Sequence, residues 1–275
     1  MPSRRWSLRS RRRIAVDELG LLPGHWQMLA EKLPGAVLIP GFQLLRRVRS
    51  VKTPEEITRL KRIAEITKAS IDAALEVARA DATELDLARA LHGCTVVHDG
   101  LPVIGCIGFG KRAAMPNVQP SAARLREGDV IRFDVGGRYK HRADIARVAV
   151  LDETDRKTKD YARALHVGVL RALEMMRPGV KAADVFETAV EAVRREGIPH
   201  YRRSHVGHGI GLDGYDLPDL TPSSRDVLED GMVLCVETPY YELGWTGLQV
   251  EDMVVVRADG IETLMATSGA LRIIP

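Results

Sequence analysis

Apolar residues near the start of this chain come in short runs, separated by a stretch with helical spacing. Residues 14–16 and 36–39 form the two apolar runs, and residues 26–33 carry the helical pattern between them. Two apolar runs on either side of a helix are typical of a βαβ unit. We therefore predict a small βαβ segment over residues 14–50, preceded by a basic, disordered end over residues 1–13.

Beyond residue 50, the spacing of apolar positions predicts four helices. Thr53, Pro54 and Glu56 combine a capping hydroxyl, a proline in the first helical turn and a glutamate three residues after the cap. These signals mark the start of a long helix, which we expect to continue to about residue 80. Shorter helices are expected over residues 83–91, 156–176 and 182–195.

One ten-residue segment of the chain occurs twice. Leu125–Asp134 aligns without a gap with Leu228–Glu237, and both copies place leucine, acid, glycine, valine and a final acid at the same positions. Each copy also follows a Pro-Ser pair. We infer an internal duplication in which each half contributes helices and an antiparallel hairpin. The predicted fold is therefore an α+β domain over residues 51–275, with pseudo-twofold symmetry and a site between the hairpins.

Each predicted hairpin carries two carboxylates. Asp134 and Glu237 end alternating apolar strands, whereas Asp144 and Glu251 immediately precede or begin further apolar runs. Four clustered carboxylates repel one another strongly unless cations lie among them. The pattern therefore predicts a metal site.

His208 is the fifth candidate ligand, because it lies among glycines that allow backbone to pack closely around its ring. Oxygen ligands with one nitrogen and no sulfur favour Mn, Co, Fe or Zn over a structural thiolate zinc site. A single aspartate at a strand end more commonly caps a turn or joins a salt bridge. The five candidates together, in a duplicated frame, favour metal binding.

Composition adds few constraints. No stretch of the chain has the roughly 20 consecutive apolar residues that a membrane-spanning helix needs, and the start lacks a secretory signal pattern, so we expect a cytoplasmic protein without membrane contact. Cys94, Cys106 and Cys235 are widely spaced and indicate buried thiols. The net charge is only +3, and part of it comes from arginines within residues 1–13, so nucleic acid is not an expected partner.

At these residues the sequence resembles the pita-bread metallopeptidases, which include methionine aminopeptidase, aminopeptidase P, prolidase and the non-peptidase creatinase. The resemblance covers residues 50–258 and fills all five metal-ligand positions. Its motifs are Gly128–Gly136, Ala143–Arg147, Gly207–Leu212, Gly231–Glu237 and Val250–Asp252. Residues 14–50 look like the end of the amino-terminal domain of the prolidase and creatinase branch.

The resemblance implies two divalent ions, manganese first among the candidates, with a bridging hydroxide that attacks an amide carbon. In that scheme Asp134, Asp144 and Glu251 bridge or chelate the ions, and His208 holds one of them. Glu237 both ligates metal and transfers a proton. The resemblance also implies a short peptide or small amide-containing substrate.

This chain departs from the family at positions that handle substrate. Asn117 and Tyr215 occupy places where the family usually has histidine, and Tyr215 is a neutral hydrogen-bond donor at pH 7. Gln249 stands where the prolidase branch often has arginine, so a fixed positive charge is expected to be missing there. His205 lies one position from a further family histidine and is a candidate substrate contact. The connection between Asp134 and Asp144 is also one residue shorter than usual.

Three functions fit these observations. The first is an Xaa-Pro dipeptidase or aminopeptidase, and the second is a creatinase-like hydrolase of a small C–N compound, which Asn117, Tyr215 and Gln249 favour. The third is a pseudoenzyme that uses the fold as a binding module. We also expect a homodimer, because Trp26, Leu29 and Leu33 leave apolar surface to cover.

Overall fold

The computed structural model describes residues 12–265 and 271–275. Its contacts divide the chain between Arg49 and Ser50 into two compact units. Most of the predicted basic end lies outside the described residues. That the first unit is the remnant of a larger amino-terminal domain stays a prediction.

The first unit contains the expected βαβ arrangement. Its elements are β1 (Arg12–Val16), α1 (His25–Lys32), β2 (Ala36–Pro40) and α2 (Phe42–Ser50), and β1 pairs in parallel with β2. Strand β1 begins at Arg12, two residues earlier than predicted, because exposed arginines can still pair through their backbone. Helix α2 was not predicted: Leu44, Leu45 and Val48 share one face of it, but a helix of nine residues shows this spacing over little more than two turns.

The second unit contains the four expected helices. They are α3 (Pro54–Glu76), α4 (Glu84–Val97), α5 (Arg156–Met175) and α6 (Ala182–Arg195). Thr53 and Glu56 form the predicted capping box: Glu56 N donates to Thr53 Oγ1 at 3.3 Å, and Thr53 N donates to Glu56 Oε2 at 2.9 Å. Helix α4 extends six residues beyond the predicted end at Leu91, and its added turns bury Thr95 against α3. None of the described helices combines the length and the apolar character needed to span a membrane.

A ten-stranded, largely antiparallel sheet forms the centre of the second unit. The strands of the second unit are β3 (Leu101–Phe109), β4 (Val130–Tyr139), β5 (His141–Arg142), β6 (Ile145–Leu151), β7 (Gly207–Gly209), β8 (Asp216–Asp219), β9 (Val233–Glu237), β10 (Tyr240–Tyr241), β11 (Gly247–Leu248), β12 (Glu251–Arg257), β13 (Gly260–Thr263) and β14 (Arg272–Ile274). The main order in the sheet is β3-β4-β6-β12-β9-β7-β8, and strands β10 and β11 form a separate pair.

Successive residues of these strands belong to two different hydrophobic cores. Ile131 and Phe133 pack in one core with the buried face of α3 and α4. Val130 and Val148 pack in the other core with α5 and α6. This alternation follows from the two-residue period of a strand that is covered on both sides.

The two duplicated segments lie in equivalent places in the sheet. Hairpin strands β4 and β6 pair antiparallel, as do β9 and β12, and β6 lies beside β12. The order β4-β6-β12-β9 therefore has the expected pseudo-twofold arrangement, which confirms the predicted α+β fold with flanking helices.

Candidate metal centre

The sheet register brings the four predicted carboxylates together where the hairpins meet. Asp134 and Glu251 both lie opposite Ala146, from neighbouring strands on either side of β6. Glu251 also lies opposite Glu237 across the second hairpin. Asp144 immediately precedes β6, so it stands beside Asp134.

Three of these carboxylates are close enough to share a cation. One oxygen from each of Asp134, Asp144 and Glu251 lies within 4.8 Å of the others. Asp144 and Glu251 are 6% and 2% exposed. The shorter connection of the first hairpin does not displace Asp144, because Ala143 N donates to Gly137 O at 2.8 Å and closes the turn.

His208 approaches the carboxylates from strand β7. Its candidate ligand nitrogen lies within 4.8 Å of a carboxylate oxygen of Glu251, and its Nδ1 contacts Gly209 O at 3.1 Å. Burial lowers the pKa of His208, so the ring is neutral at pH 7, with Nδ1–H donating and the Nε2 lone pair available. Gly207, at φ +143°, permits this approach, because a Cβ there would lie 2.1 Å from Cys235 O.

The electrostatics of the cluster are those of a cation site. Burial, followed by repulsion from Asp134 and Glu237, raises the pKa of Asp144 well above its usual value. Burial, followed by repulsion from Asp144, raises the pKa of Glu251 in the same direction. The pKa of Asp134 is raised to about 6, chiefly by burial, although Arg132 opposes the change. A cation placed among these groups would offset both the cost of burying the carboxylates and their mutual repulsion.

A buried oxygen without a partner supports the same interpretation. Asp144 Oδ1 is shielded from solvent and has no hydrogen bond among the described residues, a costly arrangement that a cation would relieve. The thiol of Cys235 lies near His208 and Glu251, but burial and the neighbouring carboxylates raise its pKa well above the usual value. A protonated thiol is a poor ligand, so the donor set fits divalent ions held by oxygen and one imidazole.

The charge of Glu237 is compensated by neighbouring side chains of the protein. His205 Nε2 lies 2.8 Å from Glu237 Oε1, and Gln249 Nε2 donates to Glu237 Oε2 at 3.0 Å. Burial alone would raise the pKa of Glu237, but the hydrogen bond and charge of His205 and the charge of Arg203 lower it below its usual value. His205 thus contacts a predicted ligand, and its contact with substrate stays a prediction.

The positive charge expected to be missing at Gln249 is supplied by Arg132 on β4. Arg132 is fully buried, and its Nη1 donates to Gln249 Oε1 at 2.9 Å and to Asp134 Oδ2 at 3.3 Å. Its other nitrogens donate to the carbonyls of Ala113, Met115 and Pro116. Position 249 itself is neutral, as expected, but the guanidinium of Arg132 on β4 keeps a positive charge beside it.

The remaining candidates lie at the rim. The ring of Tyr215 stacks on His208 with 4.0 Å between centroids and 30° between planes, so the structure brings Tyr215 to the cluster. Asn117 is exposed and makes no hydrogen bond or ion pair within the described part of the chain. Its loop contacts the cluster through the carbonyls of Met115 and Pro116, which accept hydrogen bonds from Arg132.

Comparisons with known proteins agree with the geometry. A Xaa-Pro dipeptidase from Lactobacillus helveticus is 26% identical over 268 residues, which cover 95% of this chain and 72% of that protein. An X-Pro aminopeptidase from Thermotoga maritima superposes with a TM-score of 0.89 at 25% identity, over 96% of this chain and 76% of that one. A prolidase from Pyrococcus furiosus gives a TM-score of 0.83 at 25% identity, over 94% and 77% of the two chains.

The family model described as metallopeptidase family M24 matches residues 58–258. That match spans most of the chain and includes all five predicted ligands. It also argues against the binding-module alternative, because this is a family of metal-dependent hydrolases. The protein belongs to metallopeptidase family M24.

Proposed function

We propose that this protein is a dinuclear metal-dependent peptidase that cleaves Xaa-Pro dipeptides or the amino end of short Xaa-Pro peptides. The observation that carries the proposal is the cluster of Asp134, Asp144 and Glu251, whose oxygens converge within 4.8 Å while Asp144 Oδ1 has no partner among the described residues. The similarity to an Xaa-Pro dipeptidase and to an X-Pro aminopeptidase supports the choice of substrate.

Five residues would hold the two cations, namely Asp134, Asp144, His208, Glu237 and Glu251. When bound, divalent ions lower the pKa of water and polarise a carbonyl group. Manganese is our first candidate because oxygen donors predominate in this set, with cobalt, iron and zinc as alternatives.

The protein's own contribution is a positioned proton acceptor. His205 and Gln249 fix the two oxygens of Glu237, and His205 and Arg203 lower its pKa in spite of burial and so favour the ionised carboxylate. An ionised carboxylate beside the attacking water can accept its proton at Oε1 or Oε2 and deliver it to the departing amine. Proton transfer of this kind contributes roughly 10²- to 10⁴-fold to a rate.

A creatinase-like hydrolase of a small C–N compound is the second candidate. It is favoured by the neutral side chain of Tyr215, which lies against His208 where the family usually has a second imidazole. With Asn117 also replacing a histidine, fewer side chains near the site can transfer protons to or from a peptide.

Assembly and location are further parts of the proposal. We infer a homodimer, because helix α1 buries none of its residues and leaves Trp26, Leu29 and Leu33 only partly covered. Light scattering coupled to size exclusion would test this assembly. We also propose a cytoplasmic location, which fractionation of the source cells would test.

The deciding experiment measures metal content and hydrolysis of Xaa-Pro dipeptides on one manganese-loaded sample. We expect about two ions per chain and cleavage that Asp144→Ala abolishes. Asp160→Ala serves as the control, since Asp160 is an exposed acid on α5 whose ion pair, within the described part of the chain, is with Arg156 on its own helix. Two ions without cleavage would favour the small-molecule hydrolase, and a chain without bound metal would contradict both.

A further inference from the structure

Two arginines lie against the same tyrosine ring beside the metal centre, but only one of them has hydrogen-bond partners among the described residues. The Cζ atoms of Arg132 and Arg203 lie 5.1 Å and 5.8 Å from the centre of the Tyr241 ring. Every side-chain nitrogen of Arg132 donates to a protein oxygen. Arg203 has no hydrogen bond and no ion pair within residues 12–265 and 271–275, and its Nε atom is shielded from solvent without a partner.

Contacts across the site connect Arg203 through two side chains to Glu237, the predicted proton acceptor. Tyr241 donates from its hydroxyl to Gln249 Oε1 at 3.0 Å, and Gln249 donates to Glu237 at 3.0 Å. The charge of Arg203 also contributes to the lowered pKa of Glu237, after the opposing effect of burial and the larger effects of His205. A guanidinium without an acceptor therefore lies at the edge of the site where a bound substrate would be cleaved.

The other side of Arg203 remains open to solvent. Arg203 is half-buried, and it lines a surface cleft of about 520 Å³ together with Arg194 and Arg202. A partly desolvated cation that lacks an acceptor is unfavourable, and the planar guanidinium matches the two oxygens of a carboxylate. We propose that Arg203 binds the free carboxylate at the carboxyl end of the substrate.

This inference rests on the proposed peptidase function and makes it more specific. In a dipeptide the terminal carboxylate carbon is three bonds from the scissile carbonyl carbon, about 3–4 Å away. A longer peptide has an uncharged amide at that position. Arg203 therefore selects dipeptides over longer peptides, and the protein is a dipeptidase rather than an aminopeptidase.

The test compares Ala-Pro with its carboxyl-terminal amide as substrates of the manganese-loaded protein. We expect Arg203→Met to raise KM for Ala-Pro about 10- to 100-fold, the cost of losing a charged hydrogen bond, with kcat little changed. KM for the amide should not respond. Arg202→Met removes the same charge from the adjacent exposed position, and it should change either KM by less than about twofold.

Other results would overturn the assignment. Equal KM values of the unmodified protein for acid and amide would show that the carboxylate is not recognised. Equal losses for both substrates in Arg203→Met would show that Arg203 acts only through Glu237.

A second measurement separates this inference from the proposed function. If the metal-loaded protein cleaves neither substrate, the peptidase proposal fails, and calorimetric titration of Ala-Pro and its amide into the metal-free protein still tests Arg203. Binding of the acid alone, lost in Arg203→Met, supports carboxylate recognition. Binding of neither ligand, or equal binding of both, contradicts it. Arg203→Met should keep its melting temperature, because Arg203 forms no hydrogen bond to another described residue.

Discussion

The two hairpins carry their acids at equivalent positions but neutralise them in different ways. In the first hairpin, Asp134 faces Arg132 from its own strand, and burial still raises the pKa of Asp134 to about 6. In the second, His205 and Gln249 hold Glu237, and burial would raise its pKa, but the hydrogen bond and charge of His205 lower it. The duplicated backbone thus fixes where the carboxylates lie, whereas their charge is set by Arg132, which the second copy of the repeat replaces with Cys235, and by side chains outside the repeat.

This difference separates the role of Glu237 from that of the other three carboxylates. Before metal binds, Glu237 is ionised at neutral pH while Asp144 and Glu251 tend to keep their protons. Glu237 is therefore suited to accept a proton during the reaction, whereas Asp134, Asp144 and Glu251 mainly hold cations. The following predictions test this division, beginning with the largest effect.

Exchanging the carboxylates for amides should separate the two roles. We expect Glu237→Gln to lower kcat by roughly 10³-fold while at least one metal ion is retained, because an amide cannot accept the proton. Asp134→Asn should mainly weaken metal binding. Metal content by atomic emission and kcat at saturating manganese distinguish the two. Equal loss of metal in both variants would contradict the division of roles.

Removing the guanidinium of the first hairpin should have the next largest effect. Arg132→Met leaves Asp134 Oδ2, Gln249 Oε1 and the carbonyl of Ala113 without their buried donor. We expect the free energy of unfolding to fall by about 3–5 kcal/mol, measured by urea denaturation.

A double variant provides the matched test. Adding Gln249→Arg to Arg132→Met returns a guanidinium to the same cluster from β12's side and should recover part of the stability. Gln249→Arg alone places two guanidinium groups together and should be destabilising. No recovery in the double variant would show that Arg132 acts through the carbonyls of Ala113, Met115 and Pro116 alone.

The stability of the metal-free protein should fall as pH rises. Burial raises the pKa of Asp134 to about 6 and the pKa values of Asp144 and Glu251 further above their usual range. The folded state therefore binds these protons more tightly than the unfolded state, so stability decreases from about pH 4 through pH 6 and above. We expect a melting temperature at least about 3 °C lower at pH 8 than at pH 6 in EDTA.

Two comparisons check which groups cause the melting temperature to fall as pH rises. Asp144→Asn should flatten it, and Asp160→Asn on the exposed face of α5 should not. Excess manganese should reverse it, because cations and protons compete for the same oxygens. A slope unaffected by both Asp144→Asn and manganese would place its source elsewhere in the protein.

The fold and the carboxylate cluster could be predicted because both follow from strict patterns in the sequence. The bounds of α6 agree with its apolar spacing, and the repeated ten-residue segment located β4 and β9. Helix α2 was missed although its apolar residues have helical spacing, because a helix of nine residues shows that period over little more than two turns.

The charges around the cluster were harder to predict, for two different reasons. Arg132 left a signal, since it lies two residues before Asp134 on a strand and must share its face. Arg203 left none, because it follows Arg202 in an irregular segment where no period tells which side chain turns inward. Side-chain direction in a loop depends on tertiary contacts that a single sequence does not contain.

The smallest effect should come from the ring that covers His208. Tyr215 is 60% exposed and stacks on His208 at 4.0 Å, and partial burial together with the nearby carboxylates raises its pKa to about 12, so its hydroxyl stays protonated. We expect Tyr215→Ala to weaken metal binding about two- to fivefold by calorimetry, because the stacking of two rings contributes only about 0.5–1.5 kcal/mol. Tyr215→Phe keeps the ring and should bind metal like the unmodified protein, with kcat/KM reduced by less than tenfold. If Tyr215→Phe weakened metal binding as much as Tyr215→Ala, the hydroxyl rather than the stacked ring would be what supports His208.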